Sequence, residues 1–224
     1  MVTTLIISGL IIVLLTGLIL TFRRHSKILK DLDFAREYRD KFVEFVNHYF
    51  KNNDRWSNKG NIDGETYVWL TMNVNKIQNK VGGFGIMTYK PTYQNYMINN
   101  YQLIVNTLPL FREGKVENFD ANSVDDCLLR YLGHLEGNTQ ETFKNLKNPI
   151  IWFREGIREI LSIPILLLSW FGIFSTRTVN RIIDSTIFKI IAGLFALVTF
   201  ISGVVTIIVG YEETLAFFQR LLIK

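Results

Sequence analysis

The sequence predicts a mainly α-helical membrane protein, with a helical soluble domain set between an N-terminal transmembrane helix and a C-terminal membrane region. Three observations predict it. Residues 1–22 carry no charge, and neither do residues 190–211; roughly 20 apolar residues at 1.5 Å each cross a bilayer. Mean hydropathy is +0.17, with 48% of residues hydrophobic and 13% aromatic, which excludes a disordered chain. Finally, the charge is unevenly placed. The net is +5, but residues 31–148 hold 14 basic and 15 acidic residues, whereas residues 1–30 hold four basic residues and no acidic one. Residues 149–224 hold 7 basic against 5 acidic. The basic excess therefore flanks the apolar runs, where it sets topology and meets anionic headgroups. The single cysteine, Cys127, excludes an internal disulfide and a Cys-rich zinc site.

The first apolar run reads as an uncleaved anchor, because no small-residue cleavage site precedes Arg23. Arg23, Arg24, Lys27 and Lys30 follow it and place that end in the cytoplasm. The helix continues as an amphipathic one, since Phe34, Tyr38, Phe42, Phe45 and Tyr49 recur at spacings of 4, 4, 3 and 4. Residues 52–64 read as a loop. Tyr67, Leu70, Val74, Ile77 and Val81 form a heptad seam over about 65–81, stopped by Gly82, Gly83 and Gly85. Residues 86–96 read as irregular. A helix is expected over about 95–108, ended by Pro109. Ser123 and Asp126 signal the start of another, with Val124, Cys127, Leu128, Tyr131, Leu132 and Leu135 on one face; Gly137-Asn138 should break it before a short helix to Lys147.

Asn148-Pro149 marks the return to the membrane. Residues 150–161 are amphipathic, with Trp152 and Phe153 as interfacial anchors. Residues 160–176 are uncharged but short and contain Pro164. A re-entrant segment keeps Arg177, Arg181 and Lys189 inside, whereas a full crossing would place them outside. The division expected is an anchor at 1–22, a cytosolic sensor or oligomerisation domain at 23–148, a membrane-entry region at 149–189, a transmembrane helix at 190–211 and a tail at 212–224.

Three groups of residues point to function. In the last span, Ala192, Ala196, Thr199, Gly203, Thr206 and Gly210 recur at 4, 3, 4, 3 and 4, giving one small-residue face. Such a face permits close helix packing, or lines a narrow pore with Thr199 and Thr206 when several copies surround an axis. In the first span, Gly9, Thr16 and Gly17 make a less regular small face. Arg154, Glu155, Arg158 and Glu159 sit at the cytoplasmic membrane face, as a charged ring at a pore mouth or as headgroup contacts with a surface Glu155–Arg158 pair. The third group lies in residues 51–90, whose net charge is +3 from six basic and three acidic residues. Arg55, Lys59, Lys76, Lys80 and Lys90 with Trp69 suit an anionic, stackable ligand such as a nucleotide or short single strand. Gly82-Gly83-Phe84-Gly85 suits backbone approach to a phosphate, and equally a helix stop. Trp69 is equally a core residue. No hydrolase, zincin or P-loop motif is present, so the chain reads as a non-enzyme with no cofactor and no metal site.

The plan of anchor, sensor-sized domain and C-terminal membrane region resembles the membrane effectors of bacterial anti-phage systems. Residues 149–172, PIIWFREGIREILSIPILLLSWFG, resemble their membrane-entry motif. The nearest likeness is to the ion-channel effector family of the Hailong defence system. That resemblance implies a homo-oligomeric α-helical channel in the inner membrane, a tetramer being one plausible count. It also implies control by a single-stranded oligonucleotide made by a partner nucleotidyltransferase. The competing expectation is a non-conducting anchor that presents its soluble domain to a protein partner.

Overall fold

A computed structural model of the chain describes residues 2–51, 62–90 and 95–209, except the side chains of residues 2–6, 206 and 207. Among these the order is α1 (Val2–Lys51), α2 (Gly64–Val81), a 3₁₀ turn at Gly82–Gly85, β1 (Ile86–Tyr89), β2 (Ile98–Gln102), α3 (Leu103–Glu113), α4 (Asn118–Leu146), α5 (Pro149–Trp170), α6 (Thr176–Asp184) and α7 (Thr186–Val209). The chain is mainly helical, and α1 and α7 are each long and apolar enough to cross a membrane. It divides into two compact units: residues 27–140, and residues 1–26 with 141–224.

The unit of residues 27–140 is built on the aromatic stripe. Tyr38, Phe42, Phe45 and Tyr49 are buried, and Phe34 is half-buried beside them. Phe111 of α3 fills the space between them, with its ring 5.0 Å from both Phe45 and Tyr49 in edge-on contact. Such pairs add to the area that the rings remove from water. The seam of α2 lies against this cluster through Leu70, Val74, Ile77 and Val81. Asp63 caps α2 by accepting from the Glu65 N–H at 3.2 Å. Arg39 of α1 forms a two-point pair with Asp125 of α4, at 2.7 and 3.1 Å.

Three expectations fail here, each for a physical reason. Residues 86–89 and 98–102 form an antiparallel hairpin rather than irregular chain and helix. The Tyr89 and Tyr101 rings stack at 4.6 Å, while Asn100 takes φ 57 and the register shifts between Met87 and Tyr89. Asn tolerates that left-handed backbone, and a bulge re-aims the strand. The helix expected over 95–108 instead begins at Leu103 and contains Pro109, because its apolar face is Leu103, Ile104, Leu108 and Phe111. It ends at Gly114 with φ 69, whose N–H satisfies the last carbonyls. Finally, α4 starts five residues before Ser123 and runs through Gly137-Asn138. The Asp120 carboxylate accepts from the Glu117 N–H at 3.0 Å at its start. A glycine within a helix costs about 1 kcal/mol, which 29 residues of helix absorb.

The unit of residues 1–26 and 141–224 is packed differently. Asn148 accepts from the Ile150 N–H at 3.0 Å and Pro149 opens α5. The helix then continues past Pro164 to Trp170, as one element. Gly172, at φ 74, turns the chain toward α6, which Ser175 caps. Phe153, Ile157 and Ala196 form the small core between α5 and α7, with Leu10, Val13, Leu14 and Leu161 against it. Phe153 is therefore a packing residue, not an interfacial anchor. A Cβ on Gly17 would lie 1.7 Å from the Trp152 carbonyl oxygen, and one on Gly156 2.0 Å from that of Val13. The backbones of α1 and α5 thus touch, which only glycine permits.

Candidate functional site

That backbone contact positions a charge cluster. Arg24 lies seven residues, about two turns, beyond Gly17 and so on the same face of α1. Its Nη2 reaches Glu155 Oε2 at 3.4 Å. Arg154 Nη2 donates to Glu155 Oε1 at 2.9 Å, and Arg158 Nη1 lies 3.8 Å from Oε2. Arg158 Nη2 also reaches Asp184 of α6 at 3.3 Å. Glu155 is only 8% exposed, so the expectation of a surface Glu155–Arg158 pair is corrected: one buried carboxylate holds three guanidinium groups. A charge this desolvated needs such partners. Three arginines against Glu155 and Asp184 leave one positive charge in excess. Arg154 is exposed on one side, and Glu159 is exposed. Arg24, which the sequence marks only as part of a topology signal, belongs to the cluster as well.

The small-residue face of α7 divides. Ala192, Ala196 and Gly203 are buried within the chain, and a Cβ on Gly203 would meet Leu10 Cδ1 at 2.9 Å. Thr199 is exposed. The Thr206 side chain and Gly210 lie outside the described residues. On α1, Gly17 is the packing glycine, while an added Cβ on Gly9 meets nothing within 4 Å.

In the other unit, the basic and aromatic candidates are engaged separately. Lys80 pairs with Asp31, and Lys76 Nζ lies 3.8 Å above the Phe34 ring. Trp69 is half-buried, 5.8 Å from Tyr38, with Lys41 Nζ 5.0 Å from its centroid. Lys90 is exposed just after β1. Arg55 and Lys59 lie outside the described residues. What this unit does offer is a groove of about 590 Å³ walled by Val81, Phe84, Met87 and Leu103 and rimmed by Ser123, Asp126 and Arg130. Neither Lys76, Lys80 nor Trp69 lines it. Of the glycine segment, Gly83 and Phe84 do. Gln78 shapes this region. It is 5% exposed, donates from Nε2 to the Gly85 carbonyl at 3.0 Å and accepts from the Ile104 N–H at 3.0 Å. It thereby ties the 3₁₀ turn to the start of α3. A Gln beside Ile77, on the flank of the apolar α2 seam, is the signal that sequence reading missed.

Cys127 is buried, and burial pushes its thiol up to about 11, away from nucleophile chemistry. Burial likewise raises Tyr38, whose hydroxyl reaches the Leu70 carbonyl at 3.4 Å. His25 Nδ1 lies 2.9 Å from Thr142 Oγ1, and His134 Nε2 lies 2.9 Å from Asn138 Nδ2. Among the described residues no three His, Cys, Asp or Glu side chains converge as metal ligands. The chain matches no protein-family model, no curated protein and no solved structure.

Proposed function

We propose that the chain is a membrane effector that conducts ions as a homo-oligomer, with conduction controlled through residues 27–140. The observation that carries this reading is the cluster of Arg24, Arg154, Glu155 and Arg158, in the unit that holds the two helices apolar enough to cross a membrane. An ionisable group buried among membrane helices is costly to desolvate, and such groups mark ion paths and gates. On this reading Thr199 faces neighbouring copies, the unit spans the inner membrane more than once, and residues 27–140 are cytoplasmic. The controlling ligand is a nucleotide or short single-stranded oligonucleotide, supplied by a nucleotidyltransferase in an anti-phage response. The groove beside Phe84 and Arg130 suits its base and phosphate. A ligand sets such an equilibrium only through differential affinity for closed and open states.

Purified protein in a planar bilayer should give unitary currents that a short single strand alters. Correctly inserted protein that stays silent under every ligand condition would end the channel reading. A cysteine replacing exposed Asn180, in a Cys127→Ser background, should resist an impermeant thiol reagent outside intact cells. Ready labelling would mean that α5 crosses fully.

One observation favours a second reading, a non-conducting anchor that presents its soluble domain to a protein. Ala192, Ala196 and Gly203, the small positions on which a multi-chain pore would draw, are covered by the chain's own helices. Arg130→Glu should then leave the cellular effect intact, whereas the channel reading expects it to change.

A further inference from the structure

A second groove lies wholly in the unit of residues 1–26 and 141–224. It holds about 670 Å³, within the range of small-molecule sites. Its walls are apolar, from Leu10 and Leu14 of α1, Phe153 of α5 and Phe200 of α7, and the one charged residue lining it is Arg154. Gly193 lines it too, and a Cβ added there would meet no atom within 4 Å. The groove is thus an apolar trough that carries a single guanidinium. That guanidinium shares its carboxylate partner, Glu155, with Arg24 and Arg158, so positive charge is in excess where it stands.

We propose that this groove binds an anionic phospholipid, one acyl chain lying along Leu10, Leu14 and Phe200 and the phosphate meeting Arg154. Charge complementarity selects this occupant. An apolar helix from a second copy would fill the trough but leave the excess guanidinium charge unanswered. A zwitterionic lipid would place its own cation beside the arginines. An acidic headgroup satisfies both ends, since a guanidinium presents two parallel donors to a phosphate. Bound there, the lipid wedges α1, α5 and α7 at the level of the charge cluster, so its occupancy stiffens that cluster.

The proposal rests on the membrane reading above, and the experiment separates the two. Full-length protein is reconstituted in vesicles containing a trace of phosphatidylglycerol or phosphatidylcholine with a photoactivatable acyl chain, and cross-linked peptides are mapped by mass spectrometry. Phosphatidylglycerol should label α1 around Leu10–Leu14 and the groove face of α7, in preference to phosphatidylcholine. Arg154→Gln should lower that preference about fivefold, the effect of one basic residue at an anionic surface, and Arg154→Lys, which keeps the charge but loses the paired donors, should fall between the two. Gly193→Leu fills the trough from a position with open space, and a better helix former replaces glycine there, so the variant folds. It should abolish groove labelling while exposed Leu194 and Val198 are still labelled. Equal labelling by the two lipids, or groove labelling unchanged in Gly193→Leu, overturns the proposal. So does an outer face of α7 that labels while the groove does not, since protein then occupies it. Absence of lipid labelling on α7 altogether overturns the membrane reading itself, and the lipid site with it.

Discussion

Residues 27–140 bury Tyr38, Phe42, Phe45, Tyr49 and Phe111 against one another, whereas the second unit, which holds the apolar runs of α1 and α7, brings α1 and α5 together at Gly17 and Gly156, where no side chain fits between the backbones. In water, large rings are driven together by the area they withdraw from solvent. In lipid that drive is lost between helices, and attraction comes from close backbone approach and from polar contacts. The polar contacts differ accordingly. In the first unit Arg39–Asp125 and Lys80–Asp31 are half-exposed pairs, at the edges of a core already closed. In the second, Glu155 is buried and binds three arginines beside the glycine crossing. Bulk holds one unit; the absence of bulk, with one carboxylate, holds the other.

The largest effect is expected from Phe111→Ala, which empties the centre of the aromatic cluster. It should cost about 3–5 kcal/mol, read from denaturant unfolding of the full chain in detergent. A loss near zero would mean that the rings around it can close the space, and the contrast between the units would weaken. Gly17→Ala comes next. Its methyl group meets the Trp152 carbonyl, a backbone atom that cannot swing aside, so α1 and α5 must separate at a cost of about 1–3 kcal/mol or more. Gly203→Ala meets only the end of Leu10 and should cost clearly less in the same denaturant unfolding. Equal costs would show that backbone contact is not what holds this unit.

Gln78→Leu keeps the volume but strands the Ile104 N–H and the Gly85 carbonyl, for about 1–3 kcal/mol. Its signature is local: the hairpin amides should exchange with deuterium earlier than those of α1. Cys127 offers a pH test confined to the unit of residues 27–140. A raised thiol pKa means that the folded state holds its proton more tightly, so nothing is lost below the ordinary thiol value near 8.5, and stability falls as pH climbs from there toward 11. At pH 8 a disulfide reagent should therefore react with Cys127 far faster in denaturant than in the native protein. The smallest effect is a gain. An added Cβ on Gly137 meets nothing within 4 Å, so Gly137→Ala should stabilise α4 by about 0.4–1 kcal/mol.

Much of the fold was legible because its cues are local. The uncharged runs, the stripe from Tyr38 to Tyr49 and the α2 seam are each set by residues within a few turns of one another. The errors fell where one local cue was read without its competitor. Gly137 does not break a helix that Leu135 and Thr142 anchor on both sides, and Pro109 does not end one that Phe111 continues into the core. The candidate site was legible in part. Arg154, Glu155 and Arg158 share a helix end, and the sequence singles them out for that reason.

By itself, then, the sequence determined most of the helices, their apolar faces and the basic residues beside the apolar runs, because periodicity and charge are properties of neighbouring residues. Only the tertiary structure decided which charges pair, which glycines touch and where the grooves open. Arg24 stands 131 positions from Glu155, and Gln78 stands 26 from Ile104. No local period encodes such separations. Lys76 and Lys80 show the converse: four residues apart on α2 they look like one cationic face, yet Phe34 and Asp31 of α1 engage them. A side chain's chemistry is set by what packs against it, and that partner comes from elsewhere in the chain.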